Sequence, residues 1–209
     1  VYAPDLPGHG KSAGHGLQRV ESIGEVLAKW LFEMGFARIH LCGHSMGSAV
    51  ALWLAIKHPD LVQGLVLIGS GATLPVNLSL IEDAASTNGY ITAVEKICRW
   101  SFHPNANPKL VQSVREQMLK SRPTVLGADF RACDAYDLSD RLDQVQAPTL
   151  ILVGEDDKMT PLLLSEELTA GIKNAKLEVI PDAGHMVLLE KPKLVGERIK
   201  SFLDGLPWN

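Results

Sequence analysis

The chain has 209 residues, 46% of them hydrophobic, and a formal net charge of −4. That suits one large domain, or a core with an appendage, and excludes the basic field that nucleic-acid binding needs. No apolar run approaches the ~18 residues of a bilayer span, no leader-like segment opens the chain, and the three cysteines (Cys42, Cys98, Cys133) are unpatterned, so a disulfide framework is not expected and a reducing, cytoplasmic setting fits.

The first residue is Val1 rather than Met, and the chain enters directly on the strand-like Val1-Tyr2-Ala3-Pro4, as expected of a piece cut from something longer. Asp5-Leu6-Pro7-Gly8-His9-Gly10-Lys11-Ser12 then reads as a turn-rich loop. Ile23, Val26, Leu27, Trp30, Leu31 and Met34 recur at helical spacing and predict one apolar helix face, with Ser22 near its start and Gly35 near its end. Arg38-Ile39-His40-Leu41-Cys42 is short and strand-like. Gly43-His44-Ser45-Met46-Gly47 follows, and residues 46–57 read as a buried helix.

Strand, G-x-S-x-G, helix is the context of a nucleophile elbow, a turn so sharp that its serine stands strained at the tip with Oγ exposed. Crowding of the backbone predicts that Gly43 and Gly47 must both be very small. Further on, Leu65-Val66-Leu67-Ile68 is a buried strand ending at Gly69. Thr149-Leu150-Ile151-Leu152-Val153 and Lys176-Leu177-Glu178-Val179-Ile180 are two more, with an amphipathic helix near 162–172 between them. A last helix covers about 191–204. Strands alternating with helices imply an α/β fold with a mostly parallel sheet flanked by helices.

Residues 72–147 break that rhythm. Ile91, Val94, Ile97 and Cys98 mark one helical segment, Leu110, Val114 and Met118 another, and Pro104, Pro108 and Pro123 separate such segments. The expected organisation is a core of 1–71 and 148–209 with a helical insertion at 72–147.

Attack on an ester carbonyl needs a nucleophile, a base and an acid that orients the base. Ser45 supplies the first. The strand at 149–153 is followed by Gly154-Glu155-Asp156-Asp157-Lys158-Met159-Thr160-Pro161, and the strand at 176–180 by Pro181-Asp182-Ala183-Gly184-His185. The chain order is therefore Ser, Asp, His.

On the Asp5-x-Pro7-Gly8-x-Gly10-x-Ser12 loop, the elbow, Gly154-x-x-Asp157-x-x-x-Pro161 and Gly184-His185, nearly the whole chain resembles the α/β-hydrolase family, in its small lid-bearing carboxylesterase type. The resemblance implies Ser45 as nucleophile, His185 as base and Asp157 as acid, with Asp156 and then Glu155 as alternatives for the acid. It makes 72–147 a lid (cap) over the pocket, Met46 N–H one oxyanion donor, and a strand and second donor upstream of Val1. The strand upstream would lie between those at 1–4 and 38–42. Trp100, His103, Phe130 and Tyr136 are candidate pocket walls, although packing between lid and core explains the aromatics equally well.

No metal or cofactor is called for. The expected substrate is a small carboxylic ester or thioester, with carbon–carbon bond hydrolysis, perhydrolysis or a non-catalytic binding scaffold as alternatives. A serine at the elbow argues against chemistry through an alkyl-enzyme on a carboxylate. Oligomeric state leaves no signal. Other histidines read as structural, His44 as the free middle position of the elbow, and Cys42 as a small core hydrophobe. Two look-alikes fail. Gly10-Lys11-Ser12 lacks the first glycine of a phosphate loop, which is Asp5 here. Gly8-x-Gly10-x-x-Ala13 is followed by Gly14 and Gly16 rather than a helix.

Overall fold

The computed structural model describes residues 1–206. Its centre is a four-stranded, wholly parallel sheet in the order β1 (Ile39–His44), β2 (Val62–Ile68), β3 (Thr149–Gly154), β4 (Ala175–Ile180). In register, His44 stands opposite Ile68, Ile68 opposite Leu152, and Gly154 opposite Ile180. The carboxyl ends of the strands thus fall at one edge of the sheet, where α/β folds carry their sites.

β2 and β3 are near-continuous apolar runs because both of their faces are covered. The alternation of side chains divides them. Leu65, Leu67 and Ile151 join α1 (Val20–Glu33), α2 (Met46–Lys57) and Leu168 of α7 (Leu162–Gly171) in the main core. Val66, Ile68, Leu150 and Leu152 join Val187 of α8 (Val187–Glu190) and Val195 of α9 (Pro192–Asp204) on the other face. α2 is apolar on every side, with Ser48 through Ile56 buried, as a helix must be when sheet, helix and insertion all surround it.

Three expectations need correction here. Residues 1–4 form no strand: no strand among the described residues lies beyond β1 to pair with them, and Tyr2 instead packs edge-on against Trp30 and Phe36. The buried face of α1 is Val20, Ile23, Gly24, Ala28 and Leu31, while Val26 and Met34 are exposed. Trp53 of α2 packs close over Gly24, so small residues share that face with Val20, Ile23 and Leu31. Cys42 is also not a core residue. It is exposed on β1, an outer strand of the sheet.

Between β2 and β3 stand α3 (Leu78–Ala85), α4 (Tyr90–Ser101), α5 (Pro108–Met118) and α6 (Pro123–Asp134). Pro108 and Pro123 each sit in the first turn of a helix, where a missing N–H costs nothing. Thr73 and Asp137 form an antiparallel bridge at the stem of this excursion. Beyond it Leu142, Val145 and Ala147 return to the main core. The helices build satellite clusters of their own: Leu80, Ala84, Ala93 and Ile97 in one, Tyr90, Val94 and Cys98 in another. His9 and Arg122 tie the N-terminal loop to α6, through His9 Nε2 to Asp129 at 2.8 Å and Arg122 to the Gly8 carbonyl at 2.8 Å.

Candidate active site

Ser45 is the single residue between β1 and α2. Its φ of 54° and ψ of −124° lie in a region that side chains avoid, at a cost of ~1–3 kcal/mol that surrounding structure must override. The burial of α2 does so, together with a hydrogen bond from Ser45 N–H to the Ile68 carbonyl at 2.9 Å. Apart from glycines, only Ser45 and Asp182 among the described residues take a positive φ, and each lies within three residues of a histidine of the site, His44 or His185.

The crowding around the elbow is one-sided. A Cβ on Gly43 would drive into the Gly47 carbonyl and the Cα of Ser48, whereas a Cβ on Gly47 would meet open space. The expected need for a very small residue at 47 is therefore corrected, since the backbone of α2 passes over residue 43 alone.

Asp157 and His185 come from the loops after β3 and β4, and their side chains are almost wholly enclosed. His185 Nδ1–H donates to Asp157 Oδ2 at 2.8 Å, leaving Nε2 as an acceptor. The amides of Met159 and Thr160 donate to Oδ1 at 2.9 and 2.8 Å, and the Thr160 hydroxyl donates to Oδ2 at 2.7 Å. Burial raises the Asp157 carboxyl, but the hydrogen bond and charge of His185, with the donors of Thr160, outweigh it and hold the group below its ordinary value. Asp157 is therefore a charged acceptor for the Nδ1–H of His185. Asp156 lies 3.4 Å from His103 instead, and Glu155 is exposed.

Gly69, at the end of β2, lies directly under this pair. A Cβ there would stand 3.0 Å from His185 Nδ1 and 3.2 Å from Asp157 Oδ2, and its φ of 51° also favours glycine. The strand end that carries no carboxylate is thus where the histidine–aspartate pair packs.

Ser45 opens into a cavity of about 170 Å³ lined by Leu74, Leu80, Trp100, Phe130, Cys133 and Thr160 among others, with Lys158 its one cationic residue. Of the four candidate walls, Trp100 and Phe130 line it. Tyr136 does not; it is buried in the main core and its hydroxyl donates to the Gly71 carbonyl at 3.3 Å. His103 lines a separate groove of about 560 Å³ with Asp182 and Glu190, which contains neither Ser45 nor His185. Met46 N–H begins α2 and has no intrahelical acceptor.

Four participants escaped the sequence reading. Thr160 was visible only as a residue near the acid. Glu190 accepts from Gly184 N–H and His103 N–H, each at 2.9 Å, and so joins the His185 loop to the end of α4. Met186 N–H adds a bond to the Ser101 carbonyl at 2.9 Å. His44, expected to be a free position, donates from Nε2 to the His185 carbonyl at 2.8 Å, with the two rings 4.7 Å apart. A Glu six residues from the loop's glycine carries no recognisable spacing, and contacts across 141 residues carry none at all.

Residues 1–192 match the family model of the alpha/beta hydrolase fold. A 2-hydroxy-6-oxononadienedioate/2-hydroxy-6-oxononatrienedioate hydrolase of Cupriavidus pinatubonensis is 31% identical over 225 residues, covering 98% of this chain and 76% of the relative. A pimeloyl-[acyl-carrier protein] methyl ester esterase of Nitrosomonas europaea is 28% identical, covering 99% and 84%. The malate-bound structure of a thermophilic esterase from Thermogutta terrifontis is 28% identical with a TM-score of 0.86, covering 96% of this chain and 78% of that one. No helix among the described residues is long and apolar enough to cross a membrane. With the family model spanning all four strands and every loop of the site, the chain belongs to the alpha/beta hydrolase fold family.

Proposed function

We propose that the chain is a serine hydrolase cleaving a small carboxylic ester or thioester through an acyl-enzyme on Ser45. The observation that carries this reading is the enclosed 2.8 Å bond of His185 to Asp157, on loops that meet the turn holding a strained serine. Ser45 Oγ attacks the carbonyl while His185 Nε2 takes its proton. Asp157 keeps Nδ1 protonated and offsets the charge that the imidazole acquires. Negative charge developing on the carbonyl oxygen meets Met46 N–H and the positive end of α2. His185 returns the proton to the leaving group, and water releases the acyl group by the same route. On this reading the helices between β2 and β3 act as the lid, and Trp100 and Phe130 shape a small, largely apolar site.

Carbon–carbon bond hydrolysis is the second reading, favoured by the relative that acts on a 2-hydroxy-6-oxo diacid at 31% identity. It uses the same three residues and differs in the bond presented to them. The test of the serine chemistry is intact mass after exposure to a fluorophosphonate, with Ser45→Ala alongside. One stoichiometric adduct, absent from the variant, is expected. A folded chain that takes no adduct overturns the proposal.

A further inference from the structure

The middle residue of the elbow does not line the cavity and has no part in the chemistry above, yet its side chain is committed. His44 is half-buried, and the acceptor of its Nε2 is a main-chain carbonyl 2.8 Å away, so Nε2 must carry the hydrogen. That carbonyl is the one belonging to His185 itself. The two rings lie 4.7 Å apart and tilted by 40°, so the neighbouring imidazole also walls one side of the base. Burial first, and then the proximity of His185, push His44 down to about 4; the ring is neutral at ordinary pH and adds no charge beside a base that becomes cationic.

We infer that His44 is a positioning residue for His185, a neutral donor that fixes the backbone of the base relative to the nucleophile next to it. The inference rests on the serine-hydrolase reading for its catalytic meaning, but its structural content stands alone. The rest of the His185 loop is restrained from other directions. Asp157 holds the ring through Nδ1, and Glu190 holds Gly184 N–H. Those two bonds involve neither β1 nor α2. His44 supplies a direct bond between the turn carrying Ser45 and the residue that must receive its proton. Because His44 and Ser45 are consecutive, a shift of the elbow carries the anchor of the base with it. The distance between nucleophile and base is therefore insulated from small movements between β1 and β4, which stand at opposite ends of the four-stranded order.

The test compares two amide side chains. In His44→Gln the amide nitrogen reaches the place of Nε2; in His44→Asn the same group falls one methylene short. Both are polar and no larger than histidine, and thermal unfolding serves as the check on folding. The readouts are the fluorophosphonate labelling rate, kcat and KM on a small ester, and the downfield proton resonance of His185 Nδ1–H. H44Q is expected near the parent in all of them. H44N is expected to lose about 10²-fold in kcat and labelling rate, the scale of an ångström's misplacement, with KM unchanged and the resonance broadened or lost. Equal behaviour of H44N and H44Q overturns the inference, whether both match the parent or both fall. If the parent itself takes no adduct, the hydrolase reading fails, and the resonance still decides whether His44 fixes His185.

Discussion

The two halves of the site are held by different means. Around Ser45, one turn of backbone does the work: β1 enters, α2 leaves, and Ser45 is fixed by φ, ψ and a main-chain bond to Ile68. Around Asp157 and His185, the loops after β3 and β4 are held by side chains, with Thr160, Glu190 and His44 each contributing a hydrogen bond. A position fixed by backbone sterics tolerates almost no change in its neighbours. A position fixed by a network degrades in steps as bonds are removed.

The largest expected effect breaks the network at its centre. Asp157→Asn retains size and hydrogen bonding but offers the wrong partner to Nδ1–H, and under the proposed mechanism kcat falls ~10⁴-fold. Steady-state kinetics with matched thermal unfolding measures it; a loss under tenfold would remove Asp157 from the acid's role. Next comes the backbone side. Gly43→Ala places a methyl group against the Gly47 carbonyl and should destabilise the fold by about 3 kcal/mol or more, beyond most overpacking. Gly47→Ala should be nearly neutral. Denaturant unfolding of the two separates them, and equal losses would refute one-sided crowding.

The smallest effect concerns pH. His44 has a folded value near 4, below the 6.5 of an unfolded histidine. Between those values the unfolded chain binds more protons, so stability is full above about 6.5 and falls as the pH drops toward 4, by at most ~3 kcal/mol. His9 runs the other way. Its bond to Asp129, working against burial, raises it above 6.5, so its contribution is complete in acid and lost as the pH rises through the folded value. Chemical denaturation at stepped pH should show the acid-side loss in the parent and a flatter profile in H44Q. An unchanged slope would mean that His44 is charged in the fold.

The same division explains what could be read from residue order. The buried strands, α2 and the elbow are local: Leu65 to Ile68 and Leu150 to Val153 announce two covered faces by apolar continuity, and Ser45 sits between a strand and a helix. The chain order of Ser45, Asp157 and His185 was legible because each follows a strand. The face of α1 was misjudged because Gly24 and Ala28, which face the core, carry little hydropathy. Tyr136 took the packing alternative and not the pocket wall, because an aromatic residue signals burial without saying against what. The bonds that support His185 and its loop come from the end of β1, from the loop after β3 and from α8, and periodicity does not reach across such distances.

The clasp of Glu190 carries a consequence for which molecules the site can take. Gly184 and His103 share one carboxylate, and Met186 is bonded to Ser101, so the end of α4 and the His185 loop are tied together. Trp100, on that same helix, is a wall of the cavity. Widening the cavity by swinging α4 outward therefore pulls on His185 at the same time. Under the proposed chemistry, breadth of substrate and speed of turnover are set against each other: a bulky acid is admitted only by an enzyme that has partly disarmed itself.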